Sequence, residues 1–292
     1  MSARNLARSV VLNTASVLHL NELRMRWHRG RPEIVIVEMH ETPGAYAEQL
    51  RSQLEWVSKN FAFITPELFV RAFETRSRTW AGSKPAVLFT FDDGRESNYR
   101  VAAPVLESFG ARGIFFVVPQ FIGLEGNAAK EFYYSRIDTR QIARPANGSD
   151  DEIWKPMNAV QVADLARRGH WIGSHTTSHT RLAGISPSQL EQEIRESAVQ
   201  ITRWTGKPTD TFAWAYGWDE IDRDSWHAIR QLYGCCFTPC PGTVDPASDS
   251  SFLIWRKEIE SYYSAAEYQF MYSGLVDCFW SGKRTKLRKM LR

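Results

Sequence analysis

The chain has 292 residues, 43% apolar and 24% charged, with a formal net charge of only +3. This composition excludes a disordered or fibrous chain, and the length allows one large domain or two small ones with a sizeable core. A nearly neutral body gives no reason to expect nucleic acid as a partner, and no stretch reaches the roughly 20 apolar residues of a spanning helix.

What basic charge there is collects at the ends. Arg4, Arg8, Arg24, Arg26, Arg29 and Arg31 face a single acid, Glu22, so residues 1–30 read as a basic arm with weak helical character. The closing stretch SGKRTKLRKMLR (281–292) reads as a basic, solvated tail. Both ends suit peripheral contact with an anionic membrane surface.

EIVIVEMH (33–40) is a short apolar run between turn signals and predicts a strand, and AYAEQLRSQLEWVSKNF (45–61) has helical spacing. Thr65 and Pro66 cap a further helix. AVLFTF (86–91), NYRVAAPVLESF (98–109) and GIFFVVP then give strand, helix and strand, a βαβ unit. Residues 122–155 are rich in Gly, Asn, Asp and Ser, an irregular insertion of the kind that forms lids. Beyond it a helix ends at Gly169, HWIGSH is a strand, and a helix runs from the Ser186 cap to Gly206. TDTFAWAYG is a strand, DEIDRDSWHAIRQLYG a helix, and SFLIWRKEI a last strand before a helix from Ala265. Repeated strand-then-helix order predicts an α/β fold closed, or nearly closed, into a barrel.

Cys235, Cys236 and Cys240 cluster, and Cys278 stands alone. Their spacing lacks a second ligand pair, so they read as reduced structural thiols in a reducing compartment.

Three polar groups fall at strand ends, where parallel α/β sheets bind ligands: Asp92-Asp93, His175 to His179, and His40. Two adjacent aspartates repel, so a positive charge is expected beside them. His175 and His179, spaced i, i+4, would face one side if that stretch turned helically. Two neutral histidines and one carboxylate make a three-ligand divalent site with an open position. The other aspartate, aimed elsewhere by the backbone, is then left as a base.

TFDDG (90–94), HTTSH (175–179) and TFAWAYG (211–217) resemble the first three motifs of the polysaccharide deacetylases, the NodB-homology family of carbohydrate esterases (family 4). The similarity runs over roughly residues 33–275. It implies a distorted (β/α) barrel of about seven strands, residues 31–280 as the catalytic domain, and hydrolysis of N-acetyl groups on amino sugars. Carried over by motif, Asp92 is the general base and Asp93, His175 and His179 are the ligands of a divalent metal. Zn2+ leads, with Co2+, Ni2+ or Mn2+ as alternatives. Tyr216 supplies a backbone N–H to the oxyanion. VEMH resembles the early Tyr-His of the exopolysaccharide-type branch, which makes His40 the candidate acid; an unperturbed pKa near ~6.5 suits that task.

The sequence departs from the family pattern at Ala213, where an arginine usually pairs with the base. Arg256, in IWRKEI, is the candidate replacement. Trp214 and Trp218 are candidates to stack on a sugar ring. The implied substrate is an N-acetylhexosamine in a glycan, lipid-linked or nucleotide-sugar substrate of bacterial surface polysaccharide synthesis. With no recognisable secretion signal, the expected location is cytoplasmic, peripheral at the inner membrane face. A deformylase, a cyclic-amide hydrolase and a catalytically dead carbohydrate-binding protein are the competing readings.

Overall fold

The computed structural model describes residues 33–78, 80, 84–139 and 153–291. The basic arm expected at 1–30 and much of the insertion lie outside the described residues.

The strands are β1 (Ile34–Met39), β2 (Ala62–Phe63), β3 (Ala86–Phe91), β4 (Gly113–Val117), β5 (Trp171–Ser174), β6 (Thr211–Ala213), β7 (Cys235–Thr238), β8 (Thr243–Val244), β9 (Ile254–Trp255) and β10 (Lys257–Glu258). They form one sheet in the order β10-β1-β3-β4-β5-β6-β7-β9, with β2 added to β3 and β8 antiparallel against β1. The pairs along the main path are parallel, and β1 and β3 align from Ile34↔Ala86 to Met39↔Phe91. The segment expected as one last strand is broken at Arg256: β9 pairs with β7 and β10 with β1. A single extended segment thus joins the two ends of the sheet and nearly closes it. Counting that segment once gives the expected seven positions around the barrel.

Strands covered on both faces should be apolar throughout, with alternate residues belonging to different layers. Ile34, Ile36, Leu88, Ile114 and Phe116 fall in one buried cluster. Their neighbours Val35, Val37, Val87, Phe89 and Phe115 fall in another. Helices α1 (Ala47–Asn60), α2 (Pro66–Glu74), α3 (Ala103–Ser108), α5 (Ala159–Arg167), α6 (Pro187–Glu191), α7 (Ser197–Thr205) and α8 (Arg223–Leu232) alternate with the strands. The cap signals operate as read: Thr65 and Ser186 accept from the third backbone N–H beyond them, and Gly206 ends α7 at φ 71°. The run 187–205 contains a π-helical turn, Gln192–Glu196.

Two segments differ from expectation. The first part of the insertion is ordered as α4 (Gly126–Phe132) and a π-helical turn (Tyr133–Ile137), held by a small core of Val118, Phe121, Ala129 and Tyr133. Residues 281–290 of the expected basic tail belong to α10 (Asp277–Met290), which follows α9 (Ala265–Tyr272). Leu287 and Leu291, four apart on one face, are buried and dock that helix on the barrel. Among the described residues, no helix is long and apolar enough to cross a membrane.

Candidate metal centre and catalytic cavity

Where β3 ends, the Asp92 N–H donates to the Met39 carbonyl, and the chain then takes two left-handed residues, Asp93 (φ 73°) and Gly94 (φ 78°). A Cβ at Gly94 would lie 2.8 Å from the Ile122 side chain, so only glycine fits the second position. This turn sends the two carboxylates in different directions.

Asp93 faces the histidines. Its Oδ1 lies 3.4 Å from His179 Nε2 and 3.7 Å from His175 Nε2. Its Oδ2 accepts from Arg95 Nη2 at 2.7 Å and Nε at 3.0 Å, and Arg95 in turn donates to Glu41. His175 Nδ1 is 2.8 Å from the Ala213 carbonyl, and His179 Nδ1 is 2.7 Å from the Arg136 carbonyl. A carbonyl oxygen can only accept, so each Nδ1 carries the proton and each Nε2 presents a lone pair. Burial, chiefly, pushes the His179 pKa down to about 4, against the pull of Asp93, so its ring is neutral. Asp93 and the two Nε2 atoms, which offer lone pairs in the neutral rings, lie within 4.8 Å of one another. That donor set fits a divalent cation of the zinc type.

The ligand loop is not helical, contrary to the condition set on the His-x-x-x-His spacing. Thr176 (φ 64°) and His179 (φ 57°) are left-handed, and the turn they make brings the ring centroids to 5.1 Å. Glu193, in the π-helical turn, holds the loop from below. Its Oε2 accepts from the Thr177 and Ser178 N–H groups at 3.0 and 2.9 Å, and its Oε1 from the Ser178 hydroxyl at 2.6 Å. Of the five non-glycine residues with positive φ among the described residues, Asp93, Thr176, His179 and Tyr216 all belong to this site, backbone strain concentrated where ligands are aimed.

Asp92 turns onto Arg256, while its Oδ2 stays 3.7 Å from His175 Nε2. Arg256 Nη1 donates to Asp92 Oδ1 at 2.7 Å and Nη2 to Oδ2 at 2.9 Å; Nη2 also donates to Glu38 Oε1 at 2.8 Å. Burial alone would raise the Asp92 pKa, but the charges of Arg256 and His175 outweigh it and hold the carboxyl below its ordinary value. Burial together with the nearby Asp92 pushes Glu38 up to about 8 despite Arg256. Glu38, His40 and Asp92 also approach within 4.8 Å of one another. Asp92 and Glu38 already hold the Arg256 cation there, which disfavours a second metal ion.

His40 directly follows β1, with Nδ1 2.8 Å from Glu260 Oε1, so Nδ1–H donates and Nε2 is the atom that titrates. Burial lowers its pKa, but the hydrogen bond and charge of Glu260 and the charges of Glu38 and Asp93 leave it well above the ordinary value. Glu260 is fixed in turn by the backbone N–H groups of His40 and Glu41.

His40, Asp92, Asp93, His175, His179 and Tyr216 line one cavity of about 210 Å³. Trp214 joins its wall but is only 1% exposed and donates to the Gly217 carbonyl, so its ring faces are largely packed. Trp218 lies outside that wall, beside Lys283 and Lys286 of α10. Tyr216 stands at the rim, its ring 4.5 Å from that of His179 and its hydroxyl donating to the Arg136 carbonyl. The three cysteines of the cluster are buried and free, their thiol pKa values pushed up by burial.

Sequence reasoning missed Glu38, Glu41, Arg95, Glu193 and Glu260. Glu38 carried a usable signal, since an acid inside the apolar run IVIVEM has no solvent to face. Glu193 carried none, lying in a helix that holds other glutamates.

Residues 80–233, just over half of the chain, match the family model described as polysaccharide deacetylase. YxkH of Bacillus subtilis (strain 168), named for the same family, is 25% identical over 151 residues, covering 51% of this chain and 43% of that protein. The chain therefore spans less than half the length of this curated relative. Among solved structures, IcaB from Ammonifex degensii superposes with a TM-score of 0.61 at 18% identity, covering 83% of this chain and 97% of the other. The de-N-acetylase from Aggregatibacter actinomycetemcomitans gives 0.60 at 18% identity, over 82% and 98%. The Streptococcus pyogenes deacetylase PplD, solved with acetate, gives 0.59 at 20% identity, over 82% and 98%. At these identities the likeness is one of fold.

Proposed function

The chain belongs to the polysaccharide deacetylase family, and from that premise we propose that it is a metal-dependent hydrolase removing N-acetyl groups from an N-acetylhexosamine. The substrate is a glycan, lipid-linked or nucleotide-sugar intermediate of surface polysaccharide synthesis, met at the cytoplasmic face of the membrane. The observation that carries this reading is the division between adjacent aspartates. Asp93 completes a triad of acceptors, while Asp92 is held by Arg256.

Asp93, His175 and His179 would hold a divalent ion, zinc before cobalt, nickel or manganese, which would supply Lewis acidity to an amide carbonyl and to water. Asp92 takes the proton of the attacking water, and Arg256 keeps it ionised and oriented. The backbone N–H of Tyr216 donates to the developing oxyanion. His40 gives its Nε2 proton to the departing amine while Glu260 holds the ring. The net reaction consumes one water and yields acetate and a free amino sugar.

Elemental analysis and acetate release test the reading on wild type, Asp92→Asn and Asp93→Ala, with N-acetylglucosamine oligomers and UDP-N-acetylglucosamine. The expected pattern is metal in wild type and Asp92→Asn, none in Asp93→Ala, and acetate from wild type alone. Formate release or ring opening from other amides, without acetate, would move the enzyme to a different hydrolase class. Metal without turnover of any amide would leave a carbohydrate-binding protein.

A further inference from the structure

Helix α10 carries a stripe that the catalytic reading does not use. Phe279, Lys283 and Lys286 follow one another at intervals of four and three residues, which sets them on one helical face. Phe279 is 72% exposed, a large apolar side chain standing in solvent. Lys283 Nζ lies 4.0 Å from the Trp280 ring centroid and 5.7 Å from that of Trp218; Lys286 Nζ lies 5.2 Å from the latter. Among the described residues, neither lysine makes an ion pair. Asp277, the acid of this helix, is buried and paired with Lys257 Nζ at 3.1 Å, so it does not neutralise the stripe.

The helix that carries the stripe is also anchored close to the cavity wall. Arg284 of the same helix donates to the Pro241 carbonyl, two residues beyond Pro239 of the cavity wall. Trp218 follows Tyr216 of the rim by two residues.

We propose that the Phe279–Lys283–Lys286 stripe, with its flanking tryptophans, docks the protein on an anionic phospholipid surface and holds the cavity mouth beside it. The charge complementarity comes from the two unpaired ammonium groups, each worth roughly fivefold in affinity near an anionic leaflet. The apolar residue selects a membrane over a soluble polyanion. Phe279 gains by entering the boundary between headgroups and acyl chains, whereas a nucleic acid or an acidic glycan would leave it in water. This deepens the lipid-linked reading of the substrate, yet the surface stands on its own geometry and is tested without turnover.

The test is co-sedimentation of the full chain with vesicles of phosphatidylglycerol and phosphatidylcholine, against vesicles of phosphatidylcholine alone. Wild type should bind the mixed vesicles and not the neutral ones. Lys283→Gln/Lys286→Gln should weaken that binding about twenty-five-fold, from the product of two such lysine contributions. Phe279→Ser should weaken it severalfold while leaving its salt dependence in place. A variant with the six arginines of 1–31 changed to glutamine should remain sensitive to the lysine pair, which separates α10 from the N-terminal arm. Wild type that ignores mixed vesicles, or a double glutamine variant that binds like wild type, overturns the proposal. An unaffected Phe279→Ser overturns it in favour of a site for soluble polyanions. These side chains lie outside the cavity, so acetate release from soluble oligomers is read in parallel. Its absence in wild type would count against the deacetylase reading and not against docking.

Discussion

Arg256 sets one guanidinium nitrogen on each oxygen of Asp92, at 2.7 and 2.9 Å, from a position 164 residues further along the chain. It stands at the break between β9 and β10, where the closing segment leaves β7 for β1. The third motif has Ala213 where its family pattern has arginine, and here the cation comes instead from the barrel's closing segment. A planar fork satisfies both carboxylate oxygens and still reaches Glu38, which a lysine could not do with the same geometry.

Replacing Arg256 by alanine should therefore leave two buried carboxyl groups without their cation. The expected loss is about 3–5 kcal/mol of stability, the usual cost of breaking a buried pair. Arg256→Lys restores charge without the fork, and it should fold yet lose about a hundredfold in kcat/KM through misplacement of Asp92. Thermal unfolding and acetate kinetics check both, with metal content expected to stay at the wild-type level.

The pairing of His40 with Glu260 predicts a change in pH profile as well as in rate. His40→Gln should retain metal and lose about 10²–10⁴ in kcat, the range for a missing general acid. Glu260 raises the His40 pKa, so its removal lowers it, and the acid then deprotonates at a lower pH. The alkaline limb of the kcat profile of Glu260→Gln should accordingly move to lower pH. A profile unchanged from wild type would remove His40 from the acid role.

Glu193 touches no expected ligand side chain but holds the loop that aims two of them. Glu193→Ala should cost about 10–100-fold in metal affinity, as loss of an outer-shell partner does, with the fold intact. Competition against a chromophoric chelator measures it.

His170 offers a stability test away from the metal. Its Nδ1 accepts from the Gly113 N–H at 3.1 Å and its Nε2 donates to Glu107 at 3.0 Å, so the neutral ring is built in. Burial, chiefly, lowers its pKa from 6.5 to about 4. Between those two values the unfolded chain binds more protons than the folded one, so stability falls as pH drops through that window. The loss reaches at most about 3 kcal/mol near pH 4. Urea denaturation at pH 7 and pH 4.5 should show it in wild type and show less of it in His170→Gln.

Much of the site was legible because its first elements are local. A strand that must be apolar on both faces announces its end when two aspartates and a glycine follow, and Asp92 and Asp93 sit there. His175 and His179 follow β5 for the same reason. The helical turn set as the condition for their facing one side is absent, because a four-residue spacing does not distinguish a helix from a loop with two left-handed residues. The basic tail was misread because Leu287 and Leu291 are few among many charges, and only docking on the barrel shows which face they serve.

By itself the sequence determined the alternation of strands and helices, the caps, the two aspartates and the two histidines. Each of these is written within a few residues, in periodicity or in adjacency. Tertiary structure alone decided which aspartate faces the triad, that Glu260 holds His40 from 220 residues away, and that Arg256 holds both Asp92 and Glu38. Those pairings follow from closing the sheet: when one segment leaves β7 for β1, it carries the Arg256 cation into the barrel, and charge in a buried interior is stable only where opposite charge meets it.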